Sequence, residues 1–250
     1  MKSTSIQVID RLVWLLDVLA RYQNPVALKV LAAETALAPS TAFRILAAAV
    51  EHGLVERDPA GAYKLGGKLL QLSAHVRGQT DLIGLARPVM EQLRDQTGET
   101  VNLTVREGDQ VVYVERVLSL RMMRVEQIIG SRAPLHVTAV GKMMLAESGR
   151  AATEDYARRT GLPAYTRHTL NALEALWQAV TTDQANGFAY DNEEAEVGVG
   201  CIGALVRDAS GRVIAGLSIS APIERRQDLW IPWVQASAQR ISERFGYTAA

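Results

Sequence analysis

Apolar positions recur at helical spacing through the first quarter of the chain. Val8, Ile9, Leu12, Val13, Leu15, Leu16 and Leu19 fall within residues 6–20 and predict a helix that is apolar over more than half its circumference. That width fits two arrangements: a well-buried core helix, or a helix packed both on its own domain and on a second subunit. Residues 27–33 predict a second helix with Leu28, Leu31 and Ala32 inward, and residues 35–38 a short turn. Residues 39–52 predict a third, with Pro39 in the first turn and Gly53 as a left-handed stop. Phe43, Leu46, Ala47 and Val50 form its inward stripe at i, i+3, i+4 and i+7, leaving Ser40, Thr41 and Arg44 on a polar neighbouring face. Two strand-like runs follow, 54–57 and 62–65, joined by the turn residues Asp58-Pro59-Ala60-Gly61. Two helices with a tight turn, the second polar-faced and followed by a hairpin, outline a winged helix-turn-helix reading head.

Leu65, Leu69, Leu72 and Val76 then keep a helical period up to Gly78, which predicts a linker helix. A further helix carries Leu82, Leu85, Ala86, Val89, Met90 and Leu93 and stops at Gly98, with Pro88 calling for a kink or a later start. Beyond it the pattern changes. Residues 100–106 and 110–117 are β-rich around Glu107-Gly108-Asp109, and 122–129 is a third such run. Residues 131–138 form a loop, with helices expected at 140–147, 153–160 and 170–186, the last capped by Asn171 and Glu174. Strands at 197–207 and 213–220 flank Asp208-Ala209-Ser210-Gly211, and 229–245 closes as a helix. Interspersed helices and short-turn strands predict an α+β chain with antiparallel neighbours. Its parts are a head at 1–66, a linker helix at 67–80 and a second domain at 81–250.

Charge changes this picture little. The chain has 27 Lys and Arg against 27 Asp and Glu, which argues against a broadly basic, sequence-blind nucleic-acid coat. Residues 1–65 hold seven basic and six acidic side chains, so DNA affinity must come from where the charges sit and from doubling the head in an oligomer. Cys201 is the one cysteine, which rules out an internal disulfide and makes a reducing compartment the default. With no apolar signal core and no run of about 20 apolar residues, a soluble cytoplasmic protein is expected.

Ser40, Thr41 and Arg44 are the reading-helix candidates: hydroxyls and free N–H groups near a helix start bind phosphates, and Arg forks onto guanine. Arg57, Tyr63 and Lys64 are the matching candidates on the hairpin. The Gly141-Lys142 pair lacks the glycine and hydroxyl spacing of a phosphate loop, having His136 and Met143 where those would fall, and Gly66-Gly67-Lys68 fails in the same way. His52, His75, His136 and His168 are scattered, without metal-ligand spacing, and no cofactor is implied. Cys201 lies in an apolar strand without an activating base nearby, so a catalytic nucleophile there is the weaker reading beside a small core residue. An enzyme acting on a small carboxylate is the corresponding alternative function. Ser218 and Ser220 share one strand face, which either meets solvent or needs buried polar partners.

The stretches PSTAFRIL, GLVERDPAGAYKLG, LHVTAVGKMMLA, GFAYDNEEAEVGVGCIGALVRDASGRV and GLSISAP, in that order and spacing, make the chain resemble the IclR family of bacterial transcription regulators. The resemblance covers nearly the whole chain. It implies a winged helix-turn-helix, a linker helix and a GAF-like effector domain, in dimers or dimers of dimers that bind operator DNA as repressors or activators. It also implies a small-molecule effector, a carboxylate or an aromatic metabolite. The family's effector pocket maps onto Met122, Val125, Ala139, Val140, Asp191, Val199, Cys201, Ser218 and Ser220. Backbone N–H groups of Ala139 and Val140 would take an anionic head group, Ser218 and Ser220 would bond it, and Met122, Val125 and Val199 would line the apolar end.

Overall fold

The computed structural model of the protein describes residues 6–72 and 81–248. The chain divides into two compact units, Met1–Thr80 and Asp81–Ala250. In the first, α1 (Gln7–Ala20) precedes α2 (Leu28–Glu34) and α3 (Pro39–Glu51), which bend through 111° at the turn between them. Ala36 takes a positive φ in that turn. Pro39 occupies the helix start, where its missing N–H leaves nothing unsatisfied. Strands β1 (Val55–Arg57) and β2 (Tyr63–Leu65) pair antiparallel, Val55 opposite Leu65 and Arg57 opposite Tyr63. Tyr63 also exchanges backbone bonds with Val26, at 2.7 and 2.8 Å, which ties the hairpin to the α1–α2 connection. Gly66 permits the exit: a Cβ there would lie 2.2 Å from the Gly53 carbonyl oxygen. A helix, α4, begins beyond it and is described over residues 67–72; its expected end near Gly78 lies outside the described residues.

The α3 stripe is rotated from the sequence expectation. Ala42, Ile45, Leu46 and Ala49 are buried, while Ala47 is exposed and Phe43 is 43% exposed. The segment is apolar at so many positions that its periodicity admits either phase. Close packing against α1 and α2 selects the face with two small alanines, because helix axes approach where side chains are short.

In the second unit, α5 (Leu82–Thr97) starts where Asp81 accepts a bond from the Ile83 N–H at 3.0 Å and ends at left-handed Gly98. It starts well before Pro88 and runs through it, so the later start does not occur. Strands β3 (Thr100–Glu107), β4 (Gln110–Val117) and β5 (Arg132–Pro134) follow, then a 3₁₀ turn Leu135–Val137. Helices α6 (Ala139–Ser148), α7 (Arg150–Thr160) and α8 (Leu173–Asn186) come next. Strands β6 (Ala189–Asn192), β7 (Val199–Arg207) and β8 (Val213–Pro222) and helix α9 (Ile231–Arg244) complete the unit. The sheet order is β5-β4-β3-β8-β7-β6, antiparallel throughout.

Three sequence expectations fail here. Residues 122–129 are irregular, and the edge strand is β5 instead. Asn171 and Glu174 do not cap α8, because the helix begins at Leu173 and its N-cap position falls on Ala172, which has no side-chain acceptor; Glu174 pairs with Arg150. Residues 131–138, expected as a loop, contain β5 and the 3₁₀ turn.

Alternation along β7 and β8 decides what covers each sheet face. Ile202, Ala204, Val206, Leu217 and Ile219 join the core beneath α5 and α9. Cys201 and Leu205 join the other, beneath α6, α7 and α8. Ser218 and Ser220 share that second face and are buried.

The rotated stripe has a direct consequence. Leu46→Ala, at a fully buried position, is expected to cost about 2–5 kcal/mol. Phe43→Ala is expected to cost about 1 kcal/mol or less. Hydrogen exchange of the α3 amides in both full-length variants checks the contrast.

Candidate functional site

The candidate reading face is the exposed side of α3. Ser40 and Arg44 are exposed and Thr41 is half-buried. Among the described residues no side-chain hydrogen bond or ion pair engages any of the three, so Arg44 presents an uncommitted guanidinium. On the hairpin, Arg57 is exposed, with Nε 3.3 Å from the Gly61 carbonyl and its guanidinium 5.5 Å from the centre of the Tyr63 ring. Lys64 pairs with Glu56 at 2.9 Å, which holds the Glu56 carboxyl below its ordinary range. Tyr63 is a correction. It is 1% exposed and belongs to the core, because β2 alternation and the bridge to Val26 turn its ring inward. It does not reach solvent beside Lys64.

In the second unit the start of α6 lies on the sheet. Thr138 caps it, its hydroxyl accepting from the Gly141 N–H at 3.2 Å. Gly141 is required by crowding: a Cβ would lie 2.4 Å from the Leu135 carbonyl oxygen. Val140 is seated over two sheet glycines, since a Cβ on Gly203 or on Gly216 would come within 2.7 Å of its side chain. Ala139 and Val140 are the first two residues of the helix, and no acceptor among the described residues takes their N–H groups.

A small cavity of about 60 Å³ opens beside this helix start. It brings together Ala139, Val140, Asp191, Val199, Cys201 and Ser218. Ser220 sits behind the wall, its hydroxyl 3.0 Å from Asn102 Nδ2 and 3.2 Å from Cys201 Sγ. Met122 is fully exposed and Val125 half-buried, and neither lines the cavity, because residues 122–129 do not form the expected strand. Gln127 from that segment lines it instead, its side-chain oxygen buried without a partner. Thr104, Tyr113, Thr138, Ala195 and Glu196 complete the lining. Thr104 and Tyr113 are cross-strand partners, and Thr104 also faces Gly216; only the pairing register reveals these neighbours.

Electrostatics behind the cavity are dominated by buried carboxyls. Lys142 Nζ lies 2.6 Å from Glu194 Oε1, both side chains nearly inaccessible. Glu194 Oε2 and Asp183 Oδ2 have no partner. Burial pushes Asp191 up to about 6, opposed by the Glu194 N–H it accepts at 2.8 Å and assisted by the nearby Glu194 charge. Asp183 is also pushed up to about 6, chiefly by burial. Burial, reinforced by Asp191, raises the Cys201 thiol, so it stays protonated and is no nucleophile. His136 is a structural residue. Its Nδ1 lies 2.7 Å from the Tyr156 hydroxyl and its Nε2 3.1 Å from the Pro163 carbonyl, and burial lowers its pKa. No group of three potential metal ligands gathers among the described residues. Among those residues no single helix is long and apolar enough to cross a membrane.

A winged helix-turn-helix ahead of an α+β unit with a small polar cavity defines a DNA-binding regulator with an effector domain. Family models agree: the IclR helix-turn-helix domain matches residues 8–59, and the C-terminal model of the bacterial transcriptional regulator IclR matches residues 74–244. The chain belongs to the IclR family of transcriptional regulators, which is a non-enzymatic family. It is 30% identical to the HTH-type transcriptional regulator XynR of Escherichia coli K12 over 249 residues, covering 98% of this chain and 99% of XynR. It is 33% identical over 216 residues to KdgR of Dickeya chrysanthemi, covering 84% and 71%. The crystal structure of the Agobacterium tumefaciens repressor BlcR aligns with a TM-score of 0.79 at 27% identity, over 99% of this chain and 100% of that one. An IclR homologue from Microbacterium hydrocarbonoxydans, complexed with 4-hydroxybenzoate, aligns with a TM-score of 0.62 at 25% identity, over 96% and 99%.

Breaking the buried pair tests its place in this arrangement. Lys142→Met leaves the buried Glu194 carboxyl without its partner and is expected to destabilise the protein by about 3–5 kcal/mol. Adding Glu194→Leu to that variant is expected to recover most of the loss, as read by chemical denaturation.

Proposed function

We propose that this regulator binds a short organic acid in the cavity beside α6, and that occupancy changes its affinity for operator DNA. The observation that carries this reading is the pair of N–H groups at Ala139 and Val140, without an acceptor among the described residues, on two residues that line a small cavity. A carboxylate there meets two donors at the positive end of the helix. The Ser218 hydroxyl adds a third, and Asp191 faces a hydroxyl on the acid. Val140, wedged over Gly203 and Gly216, limits the ligand to a few non-hydrogen atoms. An aromatic acid is the second reading, favoured by the relative that holds 4-hydroxybenzoate; it requires Val140 and Val199 to move.

On the DNA side, Ser40 and Thr41 bond phosphates and Arg44 reads or clamps the duplex, with Arg57 and Lys64 riding the backbone from the hairpin. Each head is nearly neutral, so useful affinity arises from two heads on a pseudo-palindromic site in a homodimer or a dimer of dimers. An acid that binds two arrangements of the effector domain unequally shifts their populations and, with them, operator affinity.

Thermal-shift titration with glycolate, lactate, pyruvate and 4-hydroxybenzoate separates the two readings. Stabilisation by a short acid supports the first, by the aromatic acid alone the second, and by none of them contradicts both. Binding of the acid is expected to strengthen several-fold between pH 8 and pH 6. Asp191 is anionic and repulsive above its raised pKa of about 6 and gains a proton below it. Asp191→Asn should flatten that dependence, as followed by calorimetric titration. Arg44→Ala is expected to lower operator binding at least tenfold in a gel-shift assay while leaving the acid's thermal shift unchanged.

A further inference from the structure

The α3 helix places an aromatic side chain where its own domain has no use for it. Ala42, Ile45, Leu46 and Ala49 supply the contacts to the core, and Phe43 remains 43% exposed. Ser40, Phe43, Arg44 and Ala47 stand at i, i+3, i+4 and i+7, which makes them one surface row. The groove between α1 and α3 does not account for the ring. That groove is lined on the α3 side by Thr41, Arg44, Ile45 and Ala48, and Phe43 is not among its walls. Nor does the ring belong to the core of the head, whose cluster and its packed neighbours do not include Phe43.

We infer that Phe43 is a specificity-determining residue that reads a thymine in each operator half-site. In a helix-turn-helix the N-terminal part of the second helix enters the major groove, and Phe43 is the fifth residue of α3. A phenyl ring offers no hydrogen bond to a base edge. The apolar group the major groove presents is the C5-methyl of thymine, which a phenylalanine recognises by direct contact. The chemistry beside it fits a duplex: Arg44, next on the row and without a partner among the described residues, can meet guanine or phosphate, and the Ser40 hydroxyl lies at the phosphate-binding start of the helix. Ala47 extends the apolar strip by one methyl group. The inference rests on DNA binding by the family's head and is independent of what occupies the effector cavity.

The test uses the full-length protein. Duplexes are selected from a random-core library, and each thymine of the selected site is then replaced by deoxyuridine, which removes the methyl group and nothing else. The wild-type protein is expected to lose about three- to tenfold in affinity at one thymine per half-site. Phe43→Ala is expected to lose a similar factor on the thymine duplex and to bind the deoxyuridine duplex equally well. Arg44→Ala should bind both more weakly and keep the wild-type thymine preference. Circular dichroism and the thermal unfolding midpoint confirm that each variant is folded, and Phe43→Leu, which keeps an apolar contact, should retain part of the discrimination. The inference is overturned if selected sites contain no fixed thymine, if the wild-type protein ignores every methyl removal, or if Phe43→Ala keeps the full wild-type preference.

Discussion

The seating of α6 on the sheet is the constraint on which the rest of the effector unit depends. Val140 occupies space that Gly203 and Gly216 leave free, and a Cβ on Gly141 would lie 2.4 Å from the Leu135 carbonyl oxygen. Three glycines and one valine thereby bring a helix start onto the neighbouring strands β7 and β8. This contact brings Ala139 and Val140, whose N–H groups have no acceptor among the described residues, to the same cavity as Asp191, Cys201 and Ser218. It also sets the cavity size, because the valine that anchors the helix is itself part of the cavity wall.

Next to this apolar contact lies an unusual density of buried polarity. Lys142 follows the anchor by two residues and is held by Glu194, while Asp183 and Asp191 sit within reach of the same charges. Such a cluster contributes little net stability, since desolvation offsets most of the attraction. It does couple elements: Lys142 lies on α6, Asp183 on α8, Asp191 on β6 and Glu194 in the connection beyond. A change in the charge on Asp191 is therefore felt by the elements that form the cavity. The Ser220–Asn102–Cys201 contacts extend the polar layer to β3, leaving the Asn102 side-chain oxygen unpartnered.

The reading head solves a different electrostatic problem. Its basic and acidic residues nearly cancel, and part of the positive charge is engaged within the domain: Lys64 by Glu56 and Arg57 by the Tyr63 ring and the Gly61 carbonyl. Arg44 has no partner among the described residues. Local charge of this kind favours geometry over bulk attraction as the source of selectivity. An exposed aromatic beside Arg44 fits that division, with phosphate contacts for position and base edges for specificity.

Element types were legible along most of the chain because glycine stops, turn residues and 3.6- or 2-residue periods all act locally. The head, the sheet-and-helix second domain and the family resemblance all follow from those signals. Phase within α3 was not legible, because Phe43 and Ile45 are both apolar and only contact with α1 and α2 selects between them. Tyr63 looked like a surface residue until the bridge to Val26 turned it inward, and Met122 looked like a wall residue until its segment proved irregular. Thr104, Tyr113 and Gln127 carried no sequence signal as cavity residues, since strand register and loop course bring them there. The sequence by itself determined the elements, their order and the residue chemistry available, because these depend on short-range backbone preferences. Only the tertiary structure decided which side chains face inward and which share a cavity, because close packing and strand pairing join residues far apart along the chain.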